Sequence, residues 1–468
     1  VEQGDLAGAT SSASTKLIHG GLRYLEQYAF RLVREALTER AVLLAALPHI
    51  AWPMRFVLPH HAGLRPWWML RAGLFLYDHL GRRSGALPGT ATLDLTRDPA
   101  GLPLRPEFRR AFEYSDAWVD DARLVVLAAR DAAARGAAIR TRTRCVSARV
   151  ADGMWQLALA PAGGPGETAT ARVLVNAAGP WSGSLLDGVL HRPPRAVVRL
   201  VKGAHIVVPR LFQHDRCYIF QNKDGRICFA IPYEGDFTLI GTTDEDYRGD
   251  PAKVVCTEGD VAYLCAAVGE YLRDPPKPAD VVWRYAGVRP LHQDGSASAQ
   301  ETSRDYVLEL DHADGAPLLS VYGGKITTFR RLAEHAMERL GGEFPGLGRA
   351  WTASAPLPGG QIARAALPAL QARLAAAHPD LDAALIARLV RAYGSDAPAV
   401  LGDGPAEAMG PWFGPHLCAC EVAWMMAREW AMTAEDVLWR RSKLGLRLTP
   451  DQQAALAAWM AGRNTPGR

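Results

Sequence analysis

ATSSASTKLIHGGLRYLE at Ala9–Glu26 and SVYGGKITTFRRLAEHA at Ser320–Ala336 carry the strongest signals in the chain. The first sets hydroxyls, a lysine, a histidine and an arginine around the Gly20-Gly21 pair. The second reads as a strand, a Gly323-Gly324 turn and an amphipathic helix. A glycine turn that opens a helix points backbone N–H groups at a phosphate or flavin edge, where the helix dipole favours negative charge. One Gly-Gly pair is usually only a tight turn. Two of them, separated by most of a large domain, imply one extended phosphate-bearing cofactor held from both ends of the chain.

Working outward, residues 20–47 read as one helix, with Leu22, Leu25, Phe30, Val33, Leu37, Leu43 and Leu44 near helical spacing and Pro48 and Pro53 ending it. Asp120-Asp121 begin another helix. Residues 171–177 read as a buried parallel strand running into Ala178-Gly179-Pro180, the kind of strand end where doubly wound sheets place ligands. From 195 to 311, short β-branched runs (204–208, 227–232, 238–242, 306–310) between Gly/Asp/Pro turns signal antiparallel sheet. Residues 319–321 return to the first sheet, and 325–340 form its last helix. A Gly/Pro-rich linker spans 341–360. Residues 361–461 are alanine-rich and helical, with almost no strand signal.

At 468 residues, 49% hydrophobic and 22% charged, the composition is that of a globular protein of two or three domains. A net charge of +4 from scattered basic residues argues against nucleic acid as a partner. Seven dispersed cysteines fit a reducing compartment rather than a disulfide framework. Cys418-x-Cys420 has no His/Cys partner pair at zinc spacing, so no metal is expected. Arg or Pro interrupts every apolar run before spanning length, which leaves a soluble or peripheral protein as the expectation.

Further runs complete the pattern: YSDAWVDDARLV at Tyr114–Val125, NAAGPW at Asn176–Trp181, KGAHIVVP at Lys202–Pro209 and IGTTDEDYRGDP at Ile240–Pro251. GVRPL at Gly287–Leu291, SRDYVLEL at Ser303–Leu310 and DVLWRRSKLGL at Asp436–Leu446 follow. On these residues the chain resembles the FAD-dependent glycerol-3-phosphate dehydrogenases, the aerobic, quinone-linked enzymes. The NAAG and GGK-type turns alone would indicate only the broader group of FAD-linked amine and hydroxy-acid oxidoreductases. One departure stands out: the chain begins at Val1 and has no G-x-G-x-x-G before Ala9. The expectation is therefore a fragment lacking the first strand–turn–helix of the cofactor unit.

The resemblance implies an α/β FAD-binding Rossmann-like domain, incomplete at its N-terminus, from residues 1–50, 114–190 and 311–340. It implies an antiparallel-sheet substrate domain from 51–113 and 191–310, and an all-helical C-terminal domain at 361–468. It implies oxidation of sn-glycerol 3-phosphate to dihydroxyacetone phosphate by hydride transfer from C2 to flavin N5. Electrons would pass to a membrane quinone at the cytoplasmic face of the inner membrane, and a homodimer is compatible. A dioxygen-using oxidase, an oxidase of glycine or another small amine, and a catalytically dead fragment are the rivals.

Oxidising a secondary alcohol requires an aimed C–H, a proton acceptor and an anchor for the charged end. For a phosphate that anchor is arginine or lysine. By resemblance Arg23, Tyr24, Arg289, Arg304 and Lys325 match the substrate site. The bland alternatives are a surface helix arginine at 23, a turn residue at 304 and a first-turn lysine at 325. His205, ahead of His19, is the proton acceptor on this reading, although a strand histidine is more often a core residue. Arg289 alternatively stabilises the developing alkoxide. For the flavin, Glu2 fits the adenosine ribose, and Thr10, Ser11, Ser14, Lys16 and Leu17 the path from pyrophosphate to ring. Cys145 or Val146 fits the adenine side; Ala178, Gly179, Gly324, Lys325, Ile326 and Thr327 fit the pyrophosphate and the carbonyl edge. The serine run also reads as a helix N-cap. Residues 40–83 interleave Arg40, Arg55, Arg65, Arg71, Arg82 and Arg83 with Trp52, Trp67, Trp68, Phe75 and Tyr77. That is either an interfacial membrane segment or a core helix with a basic edge.

Overall fold

The computed structural model describes residues 1–25, 28–81, 87–193, 198–292, 305–312 and 315–463. Its centre is a ten-stranded sheet whose alternating side chains divide it into two faces. In Val198–Pro209, Ala204, Ile206 and Val208 pack with Val261, Leu264 and Val268 of the helix Glu258–Gly269. Lys202 points the same way and pairs with Asp260 of that helix at 2.8 Å. Val207 joins the core on the opposite face, with Leu239, Ile231 and Phe56. The antiparallel expectation for this region holds for Val198–Pro209, Ile227–Tyr233 and Phe237–Gly241. Trp283–His292 pairs antiparallel along residues 198–207. One pair, Cys217–Gln221 with Ala51–Pro59, is parallel.

Several sequence readings need correction. Residues 20–47 are not one helix: a 3-10 turn, Leu22–Leu25, is followed by a helix that starts only at Phe30. Tyr28, at φ +55°, breaks the two apart. Arg110–Val119 is one continuous strand of the large sheet, paired with Leu17–Ile18 and Ala51–Pro59, so a boundary at 113/114 cuts through it. The 306–310 run does not join the large sheet. Val307–Asp311 pairs with Leu318–Tyr322, which pairs in parallel with Leu174–Asn176. Ala171 ends a separate meander strand, Glu167–Ala171, and Val175 is 47% exposed, so 171–177 is not a strand buried on both faces. Lys325 caps a 3-10 turn, Ile326–Thr328, and the last helix runs Phe329–Arg339.

The C-terminal region is helical as expected, built from Leu367–Ala377, Ala383–Tyr393, Ala397–Leu401, Ala419–Glu429 and Pro450–Ala461 around Leu389, Val422, Met425 and Leu456. Arg123, in the helix Asp121–Ala134, is 1% exposed and donates to Glu429 across the junction. The seven cysteines are free thiols. Among the described residues no helix is long and apolar enough to cross a membrane, and no three His, Cys, Asp or Glu side chains form a metal-holding group.

Candidate active site

Strand register assembles the site on the sheet face opposite the Glu258–Gly269 helix. Tyr285 lies beside His205, Gly287 beside Gly203, and Arg289 beside Val201. Side chains two residues apart on a strand share a face, so Tyr285, Gly287 and Arg289 line up with His205 and Gly203. The Arg289 guanidinium reaches back over Gly203, where a Cβ would lie 2.8 Å from Nη2. Arg289 pairs with Asp244 and donates to Thr242 Oγ1 at 3.2 Å.

The first motif crosses this face. Thr10 Oγ1 donates to the Val288 carbonyl at 2.8 Å, and the Tyr285 hydroxyl donates to the Ser14 carbonyl at 3.0 Å. A Cβ on Gly287 would stand 2.8 Å from the Cβ of Ala13, so glycine there permits the crossing. Lys16 is 1% exposed and takes a left-handed φ of +61°. Its ammonium bonds Asp121 at 2.8 and 3.0 Å and the Ser12 carbonyl at 3.0 Å. Burial opposes that charge, but the Asp121 carboxylate outweighs burial and holds the lysine protonated. Asp121 also accepts from Ser14 Oγ at 2.7 Å and the Ser14 amide at 3.2 Å. Leu17 is buried in the strand against Trp118, and Ser11 is exposed.

His205 is wholly buried. Its Nε2 is 2.9 Å from Thr15 Oγ1, its ring stacks on Tyr285 at 4.8 Å between centroids, and Nδ1 has no hydrogen-bond partner among the described residues. Burial first, then the positive charges of Arg289 and Lys16, drive its pKa well below the usual histidine range. The imidazole is therefore neutral at physiological pH. His19, by contrast, meets the last motif through its backbone: its N–H lies 3.3 Å from Thr327 Oγ1.

The Gly20 amide, expected to face a cofactor, instead donates to the Tyr77 hydroxyl at 2.8 Å and to Asp116 at 3.3 Å; the turns at Ala178-Gly179 and Gly323-Gly324 are the ones that meet, at one end of a small sheet. Leu174–Asn176 and Leu318–Tyr322 run parallel, with Asn176 opposite Ser320, so the turns after them lie side by side. Gly179 has φ +56°, Gly323 +75° and Gly324 +110°. The Lys325 ammonium stands 3.9 Å from the Tyr24 ring centroid, and Ile326 packs on the Leu43–Leu47 core. Glu2 is exposed; its amide and carbonyl bond Arg140 and Thr143, and its carboxylate accepts from the Gly4 amide at 2.8 Å. A ladder irregularity between Cys145 and Ser147 leaves Val146 45% exposed. Positive-φ turns at the ends of adjacent parallel strands are a backbone arrangement that suits a phosphate-bearing cofactor.

The structure thus brings His205, Arg289, Thr10, Ser14 and Lys16 onto one face and joins Tyr24 to Lys325. Arg304 and the Arg23 side chain lie outside the described residues. Sequence reasoning passed over Thr15, Asp121, Thr242, Asp244 and Tyr285. The first four lie inside motifs quoted above, where their partners were not legible.

Two family models cover the chain: "FAD dependent oxidoreductase" over residues 1–330 and "C-terminal domain of alpha-glycerophosphate oxidase" over 350–461. A Pseudomonas aeruginosa glycerol-3-phosphate dehydrogenase is 52% identical over 98% of this chain and 89% of its own. A Brucella abortus D-erythritol 1-phosphate dehydrogenase is 50% identical over 99% and 92%. The aerobic glycerol-3-phosphate dehydrogenase of Escherichia coli is 48% identical over 98% and 91%. In three dimensions the chain superposes on a Bacillus halodurans glycerol-3-phosphate dehydrogenase complexed with FAD. That match has a TM-score of 0.75 and 26% identity, covering 99% of this chain and 84% of the other.

Proposed function

The chain belongs to the FAD-dependent glycerol-3-phosphate dehydrogenase family, and from that premise we propose that the His205–Arg289 face is where it oxidises sn-glycerol 3-phosphate to dihydroxyacetone phosphate. FAD supplies the hydride acceptor for C2. Thr10, Ser11, Ser14, Lys16 and Leu17 would hold it along one side, and Ala178, Gly179 and Gly324 through Thr327 at the glycine turns. Lys16 and Leu17 would contribute backbone rather than side chain, since both side chains face inward. Glu2 would hold the ribose, with Cys145 and Val146 beside the adenine.

His205 takes the hydroxyl proton. With the Nε2 proton given to Thr15 Oγ1, Nδ1 keeps the lone pair, and a neutral ring is the state a base requires. Arg289 presents a planar fork to the phosphate or to the reacting oxygen. Lys325, Tyr24, Arg23 and Arg304 complete the anchor. The orphaned Nδ1 of His205, on the sheet face that also carries Arg289, supports this reading most directly. The 50% identity to a D-erythritol 1-phosphate dehydrogenase favours a second substrate reading, a longer polyol phosphate on the same face. Electrons leave to a quinone, with the protein peripheral on the membrane.

Anaerobic mixing of the FAD-loaded protein with sn-glycerol 3-phosphate, D-erythritol 1-phosphate or glycine tests this. Flavin bleaching fastest with the first is expected. Bleaching fastest with the tetritol phosphate supports the second reading, and bleaching by glycine alone sinks both. Reoxidation by a quinone analogue rather than by dioxygen is the expected second half.

A further inference from the structure

DVLWRRSKLGL lies in the C-terminal domain, yet one of its rings reaches the site. Trp439 stacks on Trp283 with centroids 4.5 Å apart and planes at 21°. Trp283 and Tyr285 follow each other on one strand face, 4.9 Å apart, and Tyr285 stacks on His205 at 4.8 Å and 13°. Glycines back both ends of this four-ring ladder. A Cβ on Gly445 would enter the Trp439 indole, and one on Gly241 would enter the His205 imidazole.

We infer that Trp439 is a positioning residue of the active centre, supplied by the C-terminal domain and acting on His205 through Trp283 and Tyr285. The inference rests on His205 belonging to the reaction site, as proposed above. Among the described residues the His205 ring has a single polar contact, Thr15 Oγ1, and an unbonded Nδ1. Hydrogen bonds therefore fix one ring atom only, and the plane of the ring is set by stacking on Tyr285. Tyr285 is in turn held by its hydroxyl's bond to Ser14 and by Trp283, which leans on Trp439. Removing the indole frees one end of the ladder. A base displaced by a fraction of an ångström loses rate while the substrate's anchoring cations remain in place.

The test uses the FAD-loaded full chain, with Trp439→Ala, Trp439→Phe and Gly445→Ala, which drives a methyl into the indole. Trp459→Ala serves as control, because Trp459 packs edge-to-face against Phe413 inside the same domain. His205→Asn is measured beside them. The readouts are the anaerobic flavin-reduction rate across pH, kcat and KM separately, and Tm. Trp439→Ala is expected to lower kcat by about tenfold, to leave KM within about twofold and to move the pH dependence of reduction. Gly445→Ala should reproduce the effect, and Trp439→Phe should recover most of it. Trp459→Ala should lower Tm alone.

Should Trp439→Ala fail to fold, Gly445→Ala still decides the question. Normal kcat and pH dependence in Gly445→Ala, and in Trp439→Ala where it folds, with His205→Asn impaired, overturn the positioning role only. A His205→Asn enzyme that reduces flavin at the wild-type rate overturns both that role and the reading of His205.

Discussion

At Arg289 the chemistry of a single side chain is most exposed to test. Pro290 restricts the arginine to extended backbone, and the strand register aims its guanidinium over Gly203. A lysine there keeps the charge and loses the planar fork. Arg289→Lys should keep FAD and leave Tm nearly unchanged, yet lower kcat/KM at least roughly tenfold, since a charge-assisted contact is worth about 1.5–3 kcal/mol. A fall of several degrees in Tm with kcat/KM intact would make the residue structural. Lys16 and Asp121 give the opposite case, both essentially buried and bonded to each other. Asp121→Ala strands a buried ammonium and should cost about 3–5 kcal/mol in urea denaturation. Lys16→Met combined with Asp121→Leu should regain much of that loss, which additive single-site losses would contradict. The glycine motifs and the cation types were legible in sequence. That Lys16 turns inward was not, because its partner lies 105 positions away.

Trp67–Leu80 shows how an element sorts a sequence cluster. Leu74 and Tyr77 are buried, while Trp68 (67%), Phe75 (59%), Met69 and Leu76 stay exposed along the opposite stripe. Arg65 and Arg71 are exposed beside them. Arg40 and Arg55 instead form ion pairs with Asp116 and Glu113 at the large sheet, and Arg82 and Arg83 lie outside the described residues. A helix with exposed tryptophan and phenylalanine flanked by arginines suits the acyl–headgroup boundary of an anionic bilayer. Trp68→Glu with Phe75→Glu should move the protein out of the floating fraction of anionic liposomes. Arg65→Gln with Arg71→Gln should weaken flotation most at low salt, because exposed charges are screened beyond about 8 Å at physiological ionic strength. Flotation unchanged in both double variants would return this helix to plain solvent. Composition flagged the segment, but only packing separated its exposed apolar stripe from sheet-bound arginines.

Across the whole molecule, the cofactor-side domain and the helical domain are joined by buried charge. Asp5 accepts from Arg441 at 2.8 Å through both carboxylate oxygens and from Arg440 at 2.6 Å. His49 lies at the same junction, 2% exposed, with neither ring nitrogen hydrogen-bonded among the described residues. Burial, then Arg123, Arg130 and Arg364, push its pKa down to about 3. Burial and Arg216 push His214 down to about 4. The unfolded chain binds these protons near pH 6.5 and the folded chain does not, so their contribution to stability is complete above that pH. It is lost as pH falls from about 6.5 toward 3, by up to about 1.4 kcal/mol per pH unit for each group. His49→Leu should flatten the decline in urea midpoint between pH 6.5 and 4.5. An unaltered slope would show that His49 takes no part in it.

What the sequence by itself determined was everything that depends on neighbours along the chain. That covers the turns at Gly179 and Gly323-Gly324, the Asp120 cap, the helical C-terminal region, and the antiparallel strand signalled by 204–208. Local spacing dictates which way successive side chains point, and hence which residue types share a face. Only the tertiary structure decided which faces meet. It moved 306–310 to the small sheet, ended the helix expected at 20–47 with a break before Phe30, and laid Ala13 across Gly287. It also carried Trp439 to Trp283 and set His205 between Tyr285 and Thr15. Pairings across hundreds of residues are selected by shape and by the cost of unpaired buried charge, and neither is written in local spacing.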